Sequence, residues 1–161
     1  MKQLLFFVFG FFYLFASCAS RDKKAPVSDK PEVVSNADNA SQSIGVKMKI
    51  KVGTNTFTAT LLDNATAAAF KSMLPLTLNM TELNGNEKYF NLSTNLPANA
   101  SNPGTIQSGD LMLYGDNTLV LFYQSFSTSY NYTRLGRIND TEALAAALGS
   151  GNVTVIFELS E

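Results

Sequence analysis

Apolar and polar positions alternate in short runs from residue 46 onward. Val46-Lys47-Met48-Lys49-Ile50-Lys51-Val52 has a strict period of two. That period belongs to a half-buried strand, with Val46, Met48, Ile50 and Val52 inward and three lysines outward. Gly53-Thr54-Asn55 reads as a turn and Thr56 to Leu61 as the returning strand of a hairpin. At Asp63 the period changes. Asp63 or Asn64 supplies an N-cap, the alanines that follow favour helix, and Pro75 ends it. Ala67, Phe70, Met73 and Leu74 share one face of that helix. Alternation resumes from Leu76 to Leu83, and the polar loop Asn84-Gly85-Asn86-Glu87-Lys88 leads to Tyr89-Phe90.

The second half repeats this grammar. A long loop is expected from Ser93 to Ser108, with Pro97, Pro103 and Gly104. Asp110 to Tyr114 and Leu119 to Tyr123 form a hairpin about Gly115-Asp116-Asn117, and Arg134 to Ile138 reads as a further strand. Asp140 is expected to cap a helix, Thr141 to Leu148, which Gly149-Ser150-Gly151 ends before a last strand, Val153 to Leu159. Eight short strands and two short helices in residues 44–161 predict a mainly β domain. The architecture expected is a closed or nearly closed β-barrel with a helix over an open end, because closure hides the edges of many short strands.

Residues 1–43 break the pattern twice. Lys2 precedes an apolar run from Leu4 to Phe15, the length of a signal-peptide core and shorter than the ~20 residues that span a bilayer. Leu14-Phe15-Ala16-Ser17-Cys18 resembles a bacterial lipobox, with Phe15 where leucine is usual. The resemblance implies cleavage before Cys18 and attachment of lipid to its sulfur. The expected organisation is a signal peptide at 1–17, lipidated Cys18 with a disordered Pro- and Ser-containing tether at 18–43, and the globular domain at 44–161. The expected localisation is the cell envelope of a bacterium, lipid-anchored to a membrane.

Composition narrows the chemistry. The chain has no histidine, no tryptophan and one cysteine. A Ser-His-Asp triad, a Cys-His pair, a histidine-built zinc site and an intrachain disulfide are therefore excluded within this chain. No cofactor or metal is expected. The formal net charge of -1 gives no electrostatic pull toward nucleic acid. Glu82 with Glu87, and Asp110 with Asp116, read as turn and strand-end residues rather than catalytic pairs. Gly149-Ser150-Gly151 follows a helix, whereas a phosphate loop precedes one.

Five segments carry a family resemblance: DNATAAAFKSMLPLTL (63–78), NGNEKYF (84–90), SNPGTIQSGDLMLYGDNTLVLFY (101–123), YTRLGRI (132–138) and GSGNVTVIFE (149–158). In this order and spacing they resemble the bacterial cyclophilin-like family, whose small barrels share the cyclophilin fold without its sequence motifs. Cyclophilins isomerise peptidyl-proline bonds in a groove with an arginine, Phe, Gln, Trp and His. Here Trp and His are missing, and LTLNMTEL (76–83) has no arginine. The expectation is a non-catalytic binding module for a peptide or small ligand, with a weak or divergent prolyl isomerase as the alternative.

The candidate site is aromatic. Tyr123, Gln124, Phe126, Tyr130, Tyr132 and Arg134 cluster in sequence, and Phe126, Tyr130, Tyr132 and Arg134 share even spacing. On one strand they would line an apolar cleft with a fixed cation, suited to a peptide or small organic anion. The family resemblance implies that Met80, Asn84 and Glu87 border the same concavity.

Overall fold

The structure, a computed structural model, describes residues 45–161. The expected signal peptide and tether, including Cys18, lie outside the described residues.

The first hairpin forms as its alternation predicts. Strand β1 (Lys47–Val52) pairs antiparallel with β2 (Asn55–Leu61), and Gly53 takes the positive φ of the turn between them. Met48, Ile50 and Val52 are buried, but Val46 stands exposed just ahead of the strand. The outward lysines are partly engaged: Lys51 pairs with Glu158 at 2.7 Å and Lys47 Nζ donates to Thr60 Oγ1 at 2.7 Å.

Helix α1 (Ala65–Ser72) starts where the sequence says it should. Asn64 Oδ1 accepts from the Ala67 N–H at 2.8 Å, and Asn64 Nδ2 donates to the Arg134 carbonyl at 2.9 Å. One side chain thus caps the helix and fastens it to the sheet. Ala67 and Phe70 point into the barrel, where Phe70 meets Phe157 edge to face at 5.8 Å. Such a contact adds about 0.5–1.5 kcal/mol beyond its buried area.

The remaining strands are β3 (Leu76–Leu83), β4 (Glu87–Asn91), β5 (Thr105–Ile106), β6 (Asp110–Tyr114), β7 (Thr118–Phe122), β8 (Phe126–Ser127), β9 (Thr133–Ile138) and β10 (Val153–Leu159). Eight of the strands close an antiparallel barrel in the order β1-β10-β3-β4-β7-β6-β9-β2, so no edge is left open. Helix α1 fills one end of this barrel. The short helix α2 (Leu144–Leu148) covers the other with Leu144 and Leu148. It begins later than expected, because Asp140 Oδ1 accepts from the Glu142 N–H at 3.0 Å in a local turn instead of capping a helix.

Closure depends on close backbone approach between β2 and β9. A Cβ on Gly136 would lie 2.5 Å from the Thr60 carbonyl oxygen, so only glycine fits there. The same strand carries a bulge against β6 between Leu111 and Met112.

A second, smaller core lies on the outer face of the sheet. Ile106, Met112, Val120, Phe122 and Tyr132 are buried together, with Tyr89 and Phe126 packed against them. The loop expected from Ser93 to Ser108 and the segment that carries Phe126, Tyr130 and Tyr132 make this layer. Within them β5 and β8 pair as a two-stranded ribbon, and Ser101 bridges to Tyr132. The arm from residue 126 to 132 is thereby laid over the outside of β4, β7 and β6.

Candidate functional site

Alternation on the β3–β4 hairpin sorts its side chains onto two faces. Leu78, Met80 and Glu82 turn inward from β3, and Lys88 and Phe90 turn inward from β4. Glu87, Tyr89 and Asn91 turn outward. The connecting turn is Asn84-Gly85, both at positive φ (58° and 72°), with Asn86 N–H donating to the Leu83 carbonyl. This is the twist-compatible hairpin turn that Asn-Gly favours.

The inward face carries an ion pair. Lys88 is fully buried, an uncommon state for lysine. Its Nζ donates to Glu82 Oε2, to the Gly149 carbonyl at 2.8 Å and to the Gly151 carbonyl at 2.7 Å. It also sits 5.2 Å from the centre of the Tyr123 ring. Glu82 accepts further from Tyr123 Oη at 2.8 Å and from the Gly85 N–H at 2.8 Å. Burial alone would raise the Glu82 pKa. The bonds from Lys88, Tyr123 and Gly85 outweigh it and hold the carboxyl below 4.5. Tyr123 is pushed up to about 12, first by burial and then by its bond to Glu82 and the charges of Glu82 and Glu87.

The outward face opens into a cleft of about 540 Å³ between the hairpin, the outer face of the sheet and the 126–132 arm. Its size suits a small organic ligand or a short peptide segment. Five aromatic rings border it: Tyr89, Tyr114, Phe126, Tyr130 and Tyr132. Tyr114 stands edge-on to Tyr130 at 6.2 Å and tilted against Tyr132 at 5.6 Å. Tyr130 is 62% exposed and forms the rim, whereas Tyr132 is almost wholly buried. The arm is held in place by the Thr128 N–H bonding the Gly104 carbonyl at 2.9 Å and by the Tyr130 N–H bonding Thr128 Oγ1 at 3.1 Å.

Glu87 is the charged side chain among the residues lining this cleft. Burial, and then the negative charge of Glu82, raise its pKa. Tyr132 is pushed up to about 12 by burial, by Glu87, and by its neighbours Tyr114 and Tyr130. Among the described residues no group of three His, Cys, Asp or Glu side chains converges to hold a metal ion.

Of the residues singled out in the sequence, the structure brings together Asn84, Glu87, Phe126, Tyr130 and Tyr132 in this cleft. It does not bring Met80 or Arg134 there. Met80 is fully buried inside the barrel, because its position on β3 faces inward. Arg134 lines two other depressions, one over β2 and β9 and one beside the start of α1. The even spacing from Phe126 to Arg134 does not act as one strand face, since regular strand exists only at 126–127 and from 133 onward. The arm between them curls, and Phe126, Tyr130 and Tyr132 meet through that curl. Tyr123 faces the barrel interior and Gln124 is exposed. From sequence alone Lys88 reads as part of a polar loop. The available signal was opposite charge at inward positions, Glu82 and Lys88, on either side of an Asn-Gly turn.

The barrel, with its helix at each end, is of the cyclophilin-like kind. A family model described as the cyclophilin-like family matches residues 50–158, and the chain belongs to that family. Among solved structures, a hypothetical protein from Archaeoglobus fulgidus is similar at a TM-score of 0.51 and 15% identity, over 75% of this chain and 99% of that one. That likeness concerns the fold. The search of curated proteins finds no match.

Replacing Lys88 tests the inward network. Lys88→Met should cost about 3 kcal/mol, since it leaves Glu82 and two carbonyls without their donor. Adding Glu82→Gln keeps the acceptor for Tyr123 but removes the orphaned charge, and should restore about 1 kcal/mol. Denaturant unfolding of the wild type, both single variants and the double variant measures this. Additive losses would contradict the pairing.

Proposed function

We propose that this protein is a bacterial envelope lipoprotein whose cyclophilin-like domain binds a peptide or small ligand without transforming it. The observation that carries the binding reading is the cleft of about 540 Å³, formed by a rigid sheet face and a tied-down arm. Its aromatic walls offer large, stiff contact area at low entropic cost.

The non-catalytic reading is supported by what the cleft presents. Prolyl isomerisation is accelerated by a donor or cation that stabilises the twisted amide. The charged group lining this cleft is a carboxylate, and Arg134, the alternative catalyst, lies elsewhere. The anchoring half of the proposal rests on the Leu14–Cys18 pattern and on Cys18 being the sole cysteine. A thioether-linked lipid there, with a second acyl group, holds a domain at a membrane where one chain alone would not.

Two measurements test these halves separately. Cys18→Ala should abolish incorporation of a labelled fatty acid and release the protein from the membrane fraction. Retained label would refute the anchor. In a proline-isomerisation assay with a proline-containing peptide, the purified protein should give the rate of buffer alone. An acceleration lost in Arg134→Ala would refute the non-catalytic reading.

A further inference from the structure

The strongest clue to the ligand is an imbalance of charge across one hairpin. The two acids of the β3–β4 hairpin, Glu82 and Glu87, share one lysine. Lys88 faces inward and is committed to Glu82 and to two loop carbonyls. Glu87 faces outward, half-buried in the cleft wall. Among the described residues it has no ion-pair or side-chain hydrogen-bond partner. No lysine or arginine lines the cleft.

We propose that the cleft recognises an organic cation, an alkylammonium or guanidinium group seated on Glu87 and framed by tyrosine rings. The proposal rests on the ligand-binding reading above and assigns the sign of the ligand's charge. Three observations converge on it. A carboxylate withdrawn from water and unpaired gains most from a cation brought to it. Tyrosine rings present negative faces to a cation and supply contact area for its apolar body. Asn86 Oδ1 is a buried side-chain oxygen without a partner, and its residue lines the same cleft beside Glu87. That oxygen adds to the unmet acceptor capacity beside Glu87. The negative charge of Glu82, acting after burial, also raises the Glu87 pKa, so Lys88 does not fully cancel the negative field at this wall. An anion at this place would meet Glu87 with no counter-charge in the wall. A neutral guest would leave the carboxylate desolvated and unpaired.

The fit is also selective. Tyr132 is fixed by the edge-on contact with Phe122 at 5.5 Å, and Tyr130 stands exposed at the rim, edge-on to Tyr114. An ammonium on a flat or aliphatic body therefore meets a preformed floor and an aromatic rim.

Three probes of matched size decide the sign: phenethylammonium, phenethyl alcohol and 3-phenylpropionate, titrated into the purified protein and followed by amide NMR shifts. Phenethylammonium should shift Glu87, Tyr130 and Tyr132 saturably, and bind at least about tenfold more tightly than either other probe. Glu87→Gln should remove that tenfold preference while its melting temperature stays at or above wild type. Glu142→Gln, on an exposed segment away from the cleft, should leave binding unchanged. Acetyl-Ala-Arg-Ala-amide binding more tightly than phenethylammonium would support the proposal with the cation on a peptide, and the reverse order would support it with a small amine. Equal or tighter binding of the alcohol or the anion at the same amides would overturn the charge assignment and leave a ligand cleft standing. No saturable shift with any probe would overturn both.

Discussion

Lys88 sits where a barrel strand ordinarily sends an aliphatic side chain, and one mouth of the barrel is arranged around its charge. Withdrawing an ammonium from water costs several kcal/mol, so the position is tolerable only with close compensation. Glu82 supplies the counter-charge, the Gly149 and Gly151 carbonyls take the remaining donors, and the Tyr123 ring lies alongside. These partners come from β3, from the end of β7 and from the loop between α2 and β10. A single cation therefore gathers the mouth of the barrel and fixes the approach of the loop that carries α2 across it. A leucine at residue 88 would have packed the same space without specifying which loop closes it.

The consequence for function follows from the pleat. Adjacent residues of a strand face opposite sides, so once Lys88 is inside, Glu87 is outside. The hairpin neutralises its inner acid and leaves its outer one in the wall of an aromatic cleft. The Asn-Gly turn makes this arrangement sharp, because its geometry brings Glu82 and Lys88 into register and lets the Gly85 N–H bond Glu82. Buried structure and exposed chemistry are thus two faces of one short segment, residues 82 to 89.

Much of this was legible in the sequence. The alternation of β1, the N-cap at Asn64, the span of β3 and the final strand all follow from period, capping and breakers. The barrel followed from many short strands that need closure. Less legible was everything set by contacts distant in sequence. Helix α2 lost its first turn to an aspartate that bonds locally. The stretch from Phe126 to Tyr132 has the spacing of a strand, but it folds as an arm because Ile106 and Phe122 draw its aromatic residues onto the outside of the sheet. Arg134 shares only its parity with those aromatics, and the start of β9 at Thr133 separates them. The role of Lys88 is hidden because a charged residue beside a turn reads as loop until its strand partner is known.

One lysine serves Glu82 and leaves Glu87 unpaired, and titration of the two side-chain carboxyl carbons by NMR reads out that division. A carboxyl held below its ordinary value of 4.5 contributes stability that is present above that pH and lost as the pH falls through its own midpoint. A carboxyl raised above 4.5 does the reverse, favouring the fold when protonated and losing that contribution as the pH rises through its midpoint. A midpoint below 4.5 is expected for Glu82 and above it for Glu87, with Glu82 alone moving up markedly in Lys88→Met. Coincident midpoints, or a Glu87 that titrates below Glu82, would contradict it.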